Sequence, residues 1–171
     1  MTDTVHVDEG NALLNDGRLT AAGLLFEVSW GLLDRLEPQI GEHGLGRSEF
    51  EALLRLARSP DGRLRMTDLA AQTNLSASGL TRLVDRLQAR GLVTRQADAT
   101  DGRGLLAEVT TPGRALVLEV LPGHLDLIQQ WYVDALSPEQ LAALTDALRA
   151  VRSRVRPGAE AGLGEAAPPA G

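Results

Sequence analysis

Residues 67–91 read TDLAAQTNLSASGLTRLVDRLQARG, and this stretch decides the fold. Its second half, 76–90, is the clearest helix in the chain. Ser76 is placed to cap it, and Leu80, Leu83, Val84 and Leu87 stack on one face at the i, i+3, i+4, i+7 spacing of an amphipathic helix. Gly91 stands where a left-handed residue ends a helix. The first half predicts a shorter helix over 68–73, capped by Thr67. Thr73-Asn74-Leu75 joins the two, and asparagine tolerates the left-handed conformation such a corner needs. Leu69 and Ala70 face inward, Ala70 being small where the helices must approach, and Leu75 covers the corner. Two short helices so joined, the second cleanly amphipathic, form a helix-turn-helix pattern.

With the leucines inward, the opposite face of 76–90 follows from geometry. It presents Ser78, Thr81, Arg82, Asp85 and Arg86, with Ser76 and Ala77 at its N-terminal tip. Small residues at the tip allow close approach to base edges in a major groove. Hydroxyls can bond to bases or phosphates, and arginines can donate bidentately to guanine or clamp phosphate. The helix N-terminus adds free N–H groups for a phosphate. The candidate DNA-binding residues are therefore Ser76, Ala77, Ser78, Thr81, Arg82 and Arg86, with Asp85 expected to orient a neighbouring arginine. An ordinary solvated helix face is the competing reading.

Immediately downstream, two β-like runs, 92–97 and 105–110, flank Asp98-Ala99-Thr100-Asp101-Gly102-Arg103-Gly104, a polar hairpin tip. A two-stranded wing after a recognition helix makes a winged helix. Arg103 suits the narrow minor groove, where negative potential is focused, and Asp101 can brace it. A surface turn with an incidental ion pair is the plainer alternative.

Upstream, 47–58 (RSEFEALLRLAR) predicts a helix with Ser48 as N-cap and Glu51 as its capping-box partner, closed by the turn Ser59-Pro60-Asp61-Gly62. Leu64-Arg65-Met66 reads as one short strand. Residues 19–41 are apolar on more than one face between Leu24 and Leu33, more than a surface helix needs, which points to a second subunit. Thr111-Pro112 opens a helix expected to run to about Ala135, with Pro122-Gly123 kinking or splitting it. Ser137-Pro138-Glu139-Gln140 starts the last helix, whose buried face is expected at Leu141, Leu144, Leu148 and Val151. From Pro157 onward nothing can be buried, so a disordered tail is expected.

The whole chain carries a net charge of −6, but unevenly. Residues 1–46 hold eight acids against two arginines, and 111–171 hold seven acids against five arginines. Residues 47–110 hold ten arginines against eight acids, so the middle is the one positive third. A phosphate backbone responds to that local field. There is no cysteine, which excludes a disulfide framework and a thiol sensor. His6, His43 and His124 lack metal-ligand spacing, so neither metal nor cofactor is expected. The opening MTDTVHVDEG has no basic start or apolar run, and no stretch approaches the roughly 20 apolar residues of a membrane span. A soluble cytoplasmic chain is expected. No glycine-rich phosphate loop, GxSxG or paired histidines point to an enzyme.

Residues 47–113 resemble the MarR family of bacterial regulators. The stretch Leu80-Thr81-Arg82-Leu83-Val84-Asp85-Arg86-Leu87, then Arg90-Gly91-Leu92-Val93, looks like that family's recognition helix and exit. The run Asp98, Asp101-Gly102-Arg103, Val109-Thr110 and Gly113 is similar to its wing motif. Gly102 departs from it, since many members carry a second arginine there. The resemblance implies a homodimer with interdigitated N- and C-terminal helices, bound to pseudo-palindromic duplex DNA. Each recognition helix would enter a major groove roughly 34 Å from its mate. It also implies release of DNA when a small aromatic or acidic effector binds between the dimer helices and the DNA-binding lobe. By position, Trp30, His43, Arg47, Arg55 and Arg114 are the candidate pocket residues, with dimer core as the alternative for Trp30 and a helix end for His43.

The expected architecture is mostly α with a small β-hairpin wing: a winged helix-turn-helix flanked by dimerisation helices. Its parts are an acidic arm (1–18), an N-terminal dimerisation helix (19–44), the DNA-binding domain (45–111), C-terminal dimerisation helices (112–156) and the tail (157–171). The expected function is ligand-responsive, sequence-specific repression. A winged helix that binds protein without binding DNA is the alternative.

Overall fold

The computed structural model describes residues 13–98 and 104–160. The first long helix, α1 (Gly17–Glu42), is capped by Asp16, whose carboxylate accepts from the Arg18 amide at 2.8 Å. It begins two residues before the predicted start and carries Pro38 without a break. Of its side chains only Ile40 is buried; Leu24, Leu25, Phe26, Val28 and Trp30 are exposed. The excess apolar character read from the sequence is thus left uncovered among the described residues.

Gly44, at φ +69°, turns the chain into α2 (Arg47–Arg58). The N-cap here is Gly46, not Ser48. Glu49, rather than Glu51, reaches back to the cap amide at 3.2 Å, while Glu51 pairs along the helix with Arg55. A short turn (Pro60–Gly62) leads to β1 (Arg63–Arg65), one residue earlier than predicted. α3 (Met66–Thr73) then starts with Arg65 as its cap residue and no side-chain cap bond, so Thr67 lies inside the helix. Asn74 is left-handed at φ 56°, ψ 36°, as the corner requires. α4 (Ala77–Ala89) is capped by Ser76, whose Oγ accepts from the Gly79 amide at 3.1 Å, and Gly91 closes it at φ +72°.

β2 (Val93–Ala97) and β3 (Leu105–Val109) form the wing. The sheet has three strands, in the order β1-β3-β2, all antiparallel. β1 joins it with Leu64 opposite Ala107, because Leu64 points into the core between the exposed Arg63 and Arg65. Leu53, Leu56, Leu69, Leu80, Val84 and Leu87 are all at most 1% exposed and form one core beneath α4.

α5 (Thr111–Ile128) follows, capped by Thr110. It neither splits nor ends at Pro122; the irregularity comes later, in a π-helical turn at Gln129–Val133. Gln39 of α1 donates to the Val120 carbonyl at 3.2 Å, bracing α5 just before the proline. α6 (Pro138–Val155) has the predicted capping box, with Ser137 and Gln140 bonded reciprocally at 2.9 and 3.3 Å. None of its residues is buried; Leu144, Leu148 and Val151 remain exposed because nothing among the described residues covers them. Residues 157–160 form a short turn (Pro157–Glu160) packed on α3, where the sequence predicts the start of a tail. Residues 1–12, 99–103 and 161–171 lie outside the described residues, and with them most of the acidic arm and the rest of the tail.

Candidate nucleic-acid interface

α4 is held by its leucines. Leu80, Leu83 and Leu87 are at most 2% exposed, so Ser76, Ala77, Ser78, Thr81, Arg82, Asp85 and Arg86 stand on the outer face as expected. Partnering then sorts this face. Thr81 Oγ1 donates back to the Ala77 carbonyl at 2.9 Å, which leaves its lone pairs outward. Ser76 and Ser78 share a 3.3 Å hydroxyl contact at the tip. Glu49 of α2 receives Arg86 Nε at 3.4 Å and Arg90 Nη1 at 3.3 Å. Arg82, by contrast, has no carboxylate within bridging distance among the described residues and is exposed. Of the arginines on this helix, it is the one whose charge stays fully available to an incoming anion.

Asp85 does orient an arginine, but not one on its own helix. Its Oδ1 receives Arg95 Nη1 from β2 at 2.5 Å, and Arg95 Nη2 also donates to the Thr81 carbonyl at 2.9 Å. Arg95 therefore ties the wing to the recognition helix. The base of the wing is closed by the Asp98 amide, which donates to the Gly104 carbonyl at 2.9 Å. Asp98 is buried and bridges to Arg65 Nε at 2.9 Å. Asp101 and Arg103, the predicted wing contacts, lie outside the described residues.

Between α1, α2 and α5 lies a cavity of about 300 Å³. Arg47 and Arg55 line it, as read from the sequence. Trp30, His43 and Arg114 do not. Trp30 is 63% exposed and stacks on Phe26 at 5.9 Å, on the uncovered face of α1. His43 sits at the end of α1, 3.4 Å from Glu119. Arg114 donates to the Ala57 carbonyl at 3.1 Å. Phe50, Leu54 and Arg58, on the same helix as Arg47 and Arg55, also line it, as do Glu37 and Glu51; periodicity could not find His124, because α5 reaches the crevice only through the fold. His124 stacks edge-on against Phe50 with ring centroids 4.9 Å apart, and its buried Nδ1 has no hydrogen-bond partner among the described residues. Burial lowers its pKa below the ordinary 6.5. The unfolded chain then takes up the proton first, so stability should fall as pH drops through 6.5 towards the lower folded value. In His124→Phe, thermal unfolding followed between pH 7.5 and 5 should lose that part of the slope; an unchanged slope would refute the assignment.

No group of described residues has the makings of a metal site, and no described helix is long and apolar enough to cross a membrane.

Residues 43–104 match the sequence pattern of the MarR family. YetL, an HTH-type transcriptional repressor of Bacillus subtilis (strain 168), is 32% identical over 120 residues, covering 70% of this chain and 72% of that protein. AbsC, a MarR family transcriptional regulator from Streptomyces coelicolor, superposes with a TM-score of 0.76 at 32% identity, over 84% of this chain and 97% of AbsC. Sco3205, a MarR family regulator from the same organism solved in complex with DNA, gives 0.73 at 33% identity, over 81% of this chain and 87% of Sco3205.

Proposed function

The chain belongs to the MarR family of transcriptional regulators, which are not enzymes, and from this premise we propose that it acts as a homodimeric, ligand-responsive repressor reading pseudo-palindromic duplex DNA. One observation carries the DNA reading: the outer face of α4 holds Arg82 exposed above a buried leucine stripe, with no carboxylate within bridging distance among the described residues, where a groove-bound helix would use it. Sco3205, so similar in fold, was solved with DNA bound, which supports the same use of α4 here. In this reading Ser76, Ala77 and Ser78 approach base edges or phosphate, Arg82 reads a base, and Thr81 offers an acceptor. Arg86 contributes after exchanging Glu49 for a phosphate. Asp101 and Arg103 at the wing tip reach the minor groove.

The homodimer is proposed from the uncovered apolar faces of α1 and α6, since contiguous apolar patches of this kind mark interfaces. The effector is proposed to be a small aromatic or acidic molecule in the cavity at Arg47, Arg55 and Arg58. There apolar walls at Phe50 and Leu54 meet three guanidinium groups set against the carboxylates of Glu37 and Glu51, the latter paired with Arg55 at 3.4 Å, so Arg47 and Arg58 are the groups left to receive a ring bearing a carboxylate. Because the cavity joins α1 and α5 of the dimer frame to α2 of the lobe, an occupant would change how the lobe is carried. The cytoplasm is the compartment this reading requires.

The test is fluorescence anisotropy on duplex from upstream of the chain's own gene, run across a salt series. A DNA reader loses affinity steeply as salt rises. Arg82→Ala should cost roughly 1–3 kcal/mol on the bound sequence and less on unrelated duplex. An equal loss on every sequence would make Arg82 a phosphate contact. Absence of any duplex binding at low salt would favour a protein-binding winged helix instead.

A further inference from the structure

The C-terminal end of α6 and the turn after it grip the helix-turn-helix corner. α6 itself makes only sparse contacts with the DNA-binding lobe, whereas the turn at Pro157–Glu160 packs closely on α3. Ala159 is buried to 7% exposure, and a Cβ on Gly158 would come within 3.2 Å of the Ala71 Cβ, so the turn leaves little room for a side chain against α3.

Arg156 supplies the polar half of this grip. The Asn74 and Leu75 amides both bond to the Ala70 carbonyl at the end of α3. The Ala71 carbonyl, one of the carbonyls a helix end leaves without an intrahelical donor, accepts from Arg156 Nη2. A guanidinium at that place also meets the negative end of the helix dipole. Three residues beyond the α3 terminus, Ser76 caps the recognition helix, so whatever fixes Ala71 and Asn74 fixes where α4 starts.

We propose that Arg156, with Gly158 and Ala159, is a strap that positions the recognition helix relative to the C-terminal dimer helix, and so sets the affinity for two half-sites at once. Arg156 is a positioning residue; it acts through the α3–α4 corner and touches no base. The inference rests on the reading of α4 as the DNA-binding helix. Its physical basis is preorganisation. A lobe held in one pose binds two grooves without losing the freedom that a loosely carried lobe must give up.

The experiment uses full-length variants. Arg156→Ala removes the carbonyl's donor. Gly158→Val places side-chain atoms where Ala71 stands and lifts the turn by a different route. Arg156→Lys keeps one donor and the charge. Both disruptive variants should bind the two-half-site duplex about tenfold more weakly, a factor within the usual range of coupling between sites. They should keep the wild-type affinity for unrelated duplex and the same sedimentation coefficient, and Arg156→Lys should recover part of the loss. Amide hydrogen exchange at Asn74 and Leu75 should quicken in both. Wild-type affinity in Arg156→Ala, or an equal loss on specific and unrelated duplex, would overturn the proposal. If the unmodified protein binds no duplex, the DNA reading fails by itself. Hydrogen exchange then still decides whether the strap holds the corner: unchanged rates would refute it.

Discussion

Gly113→Ala should unfold at a markedly lower urea concentration than the natural protein. Gly113 lies in the first turn of α5, buried against the segment that leaves the recognition helix. A Cβ there would stand 2.1 Å from the Leu92 carbonyl oxygen and 3.0 Å from the Val109 Cγ2. The Leu92 carbonyl is not free to move, since it accepts from the Thr110 amide at 3.1 Å. Thr110 Oγ1 meanwhile accepts from the Gly113 amide at 3.1 Å and donates to the Gly91 carbonyl at 2.7 Å. Two effects oppose each other. Alanine in a helix is favoured over glycine by roughly 0.5–1 kcal/mol. Forcing an extra methyl into packed backbone costs about 1–3 kcal/mol, and more where the neighbour cannot shift. The steric effect should win, with a net loss of about 2 kcal/mol. Equilibrium unfolding at fixed protein concentration measures it. A midpoint equal to or above that of the natural chain would show that the α5–β2 junction yields more easily than its hydrogen bonds imply.

On the proposed homodimer, Leu148→Glu should shift the protein to a monomer and remove most operator binding. In a single chain Leu144, Leu148 and Val151 are 36%, 38% and 49% exposed, spaced as one stripe along α6, and α1 shows a comparable face at Leu24, Phe26 and Trp30. If these faces cover one another in the dimer, two-fold symmetry buries the new carboxylate twice. An uncompensated buried charge costs several kcal/mol each time. The loss of one half-site contact then removes the advantage of simultaneous binding, about a hundredfold or more in affinity. Sedimentation velocity reads the first effect, anisotropy on the two-half-site duplex the second, and circular dichroism checks that α6 remains helical. Sedimentation of the Leu148→Glu protein as a dimer would place the interface elsewhere. The charged Arg149 next to this stripe pairs with Asp146 at 3.0 Å on the solvent side, so Arg149→Glu is a suitable control with no expected dissociation.

In the proposed function the available arginines carry the DNA contact, and that is the point where local and tertiary information part. Glu49 lies 37 residues before Arg86 and 41 before Arg90 along the chain. Its pairing with them withdraws two of the charges the recognition helix offers at first sight. Asp85, expected to orient a neighbouring arginine, is committed to Arg95 in the wing. The predicted two-stranded wing gained β1, which pairs with β3 and so turns Leu64 to a buried side.

What the sequence determined alone was much of what depends on neighbours a few positions apart, although the caps of α2 and α3 each lie two residues before the predicted ones. The inward leucines of α4, the left-handed Asn74, the Ser76 cap and the Gly91 stop all follow from 3.6-residue periodicity and backbone sterics, and all hold in the structure. The placement of Arg82 on the outer face is a consequence of the same periodicity. Only the tertiary structure decided that Arg82 meets no carboxylate among the described residues, that Phe50, Arg58 and His124 meet in one crevice, and that Arg156 reaches Ala71 across 85 residues. The reason is physical. Helix caps and apolar faces are local energies repeated along the chain. Ion pairs between elements arise only after burial has brought distant segments together, and nothing at either position announces its partner.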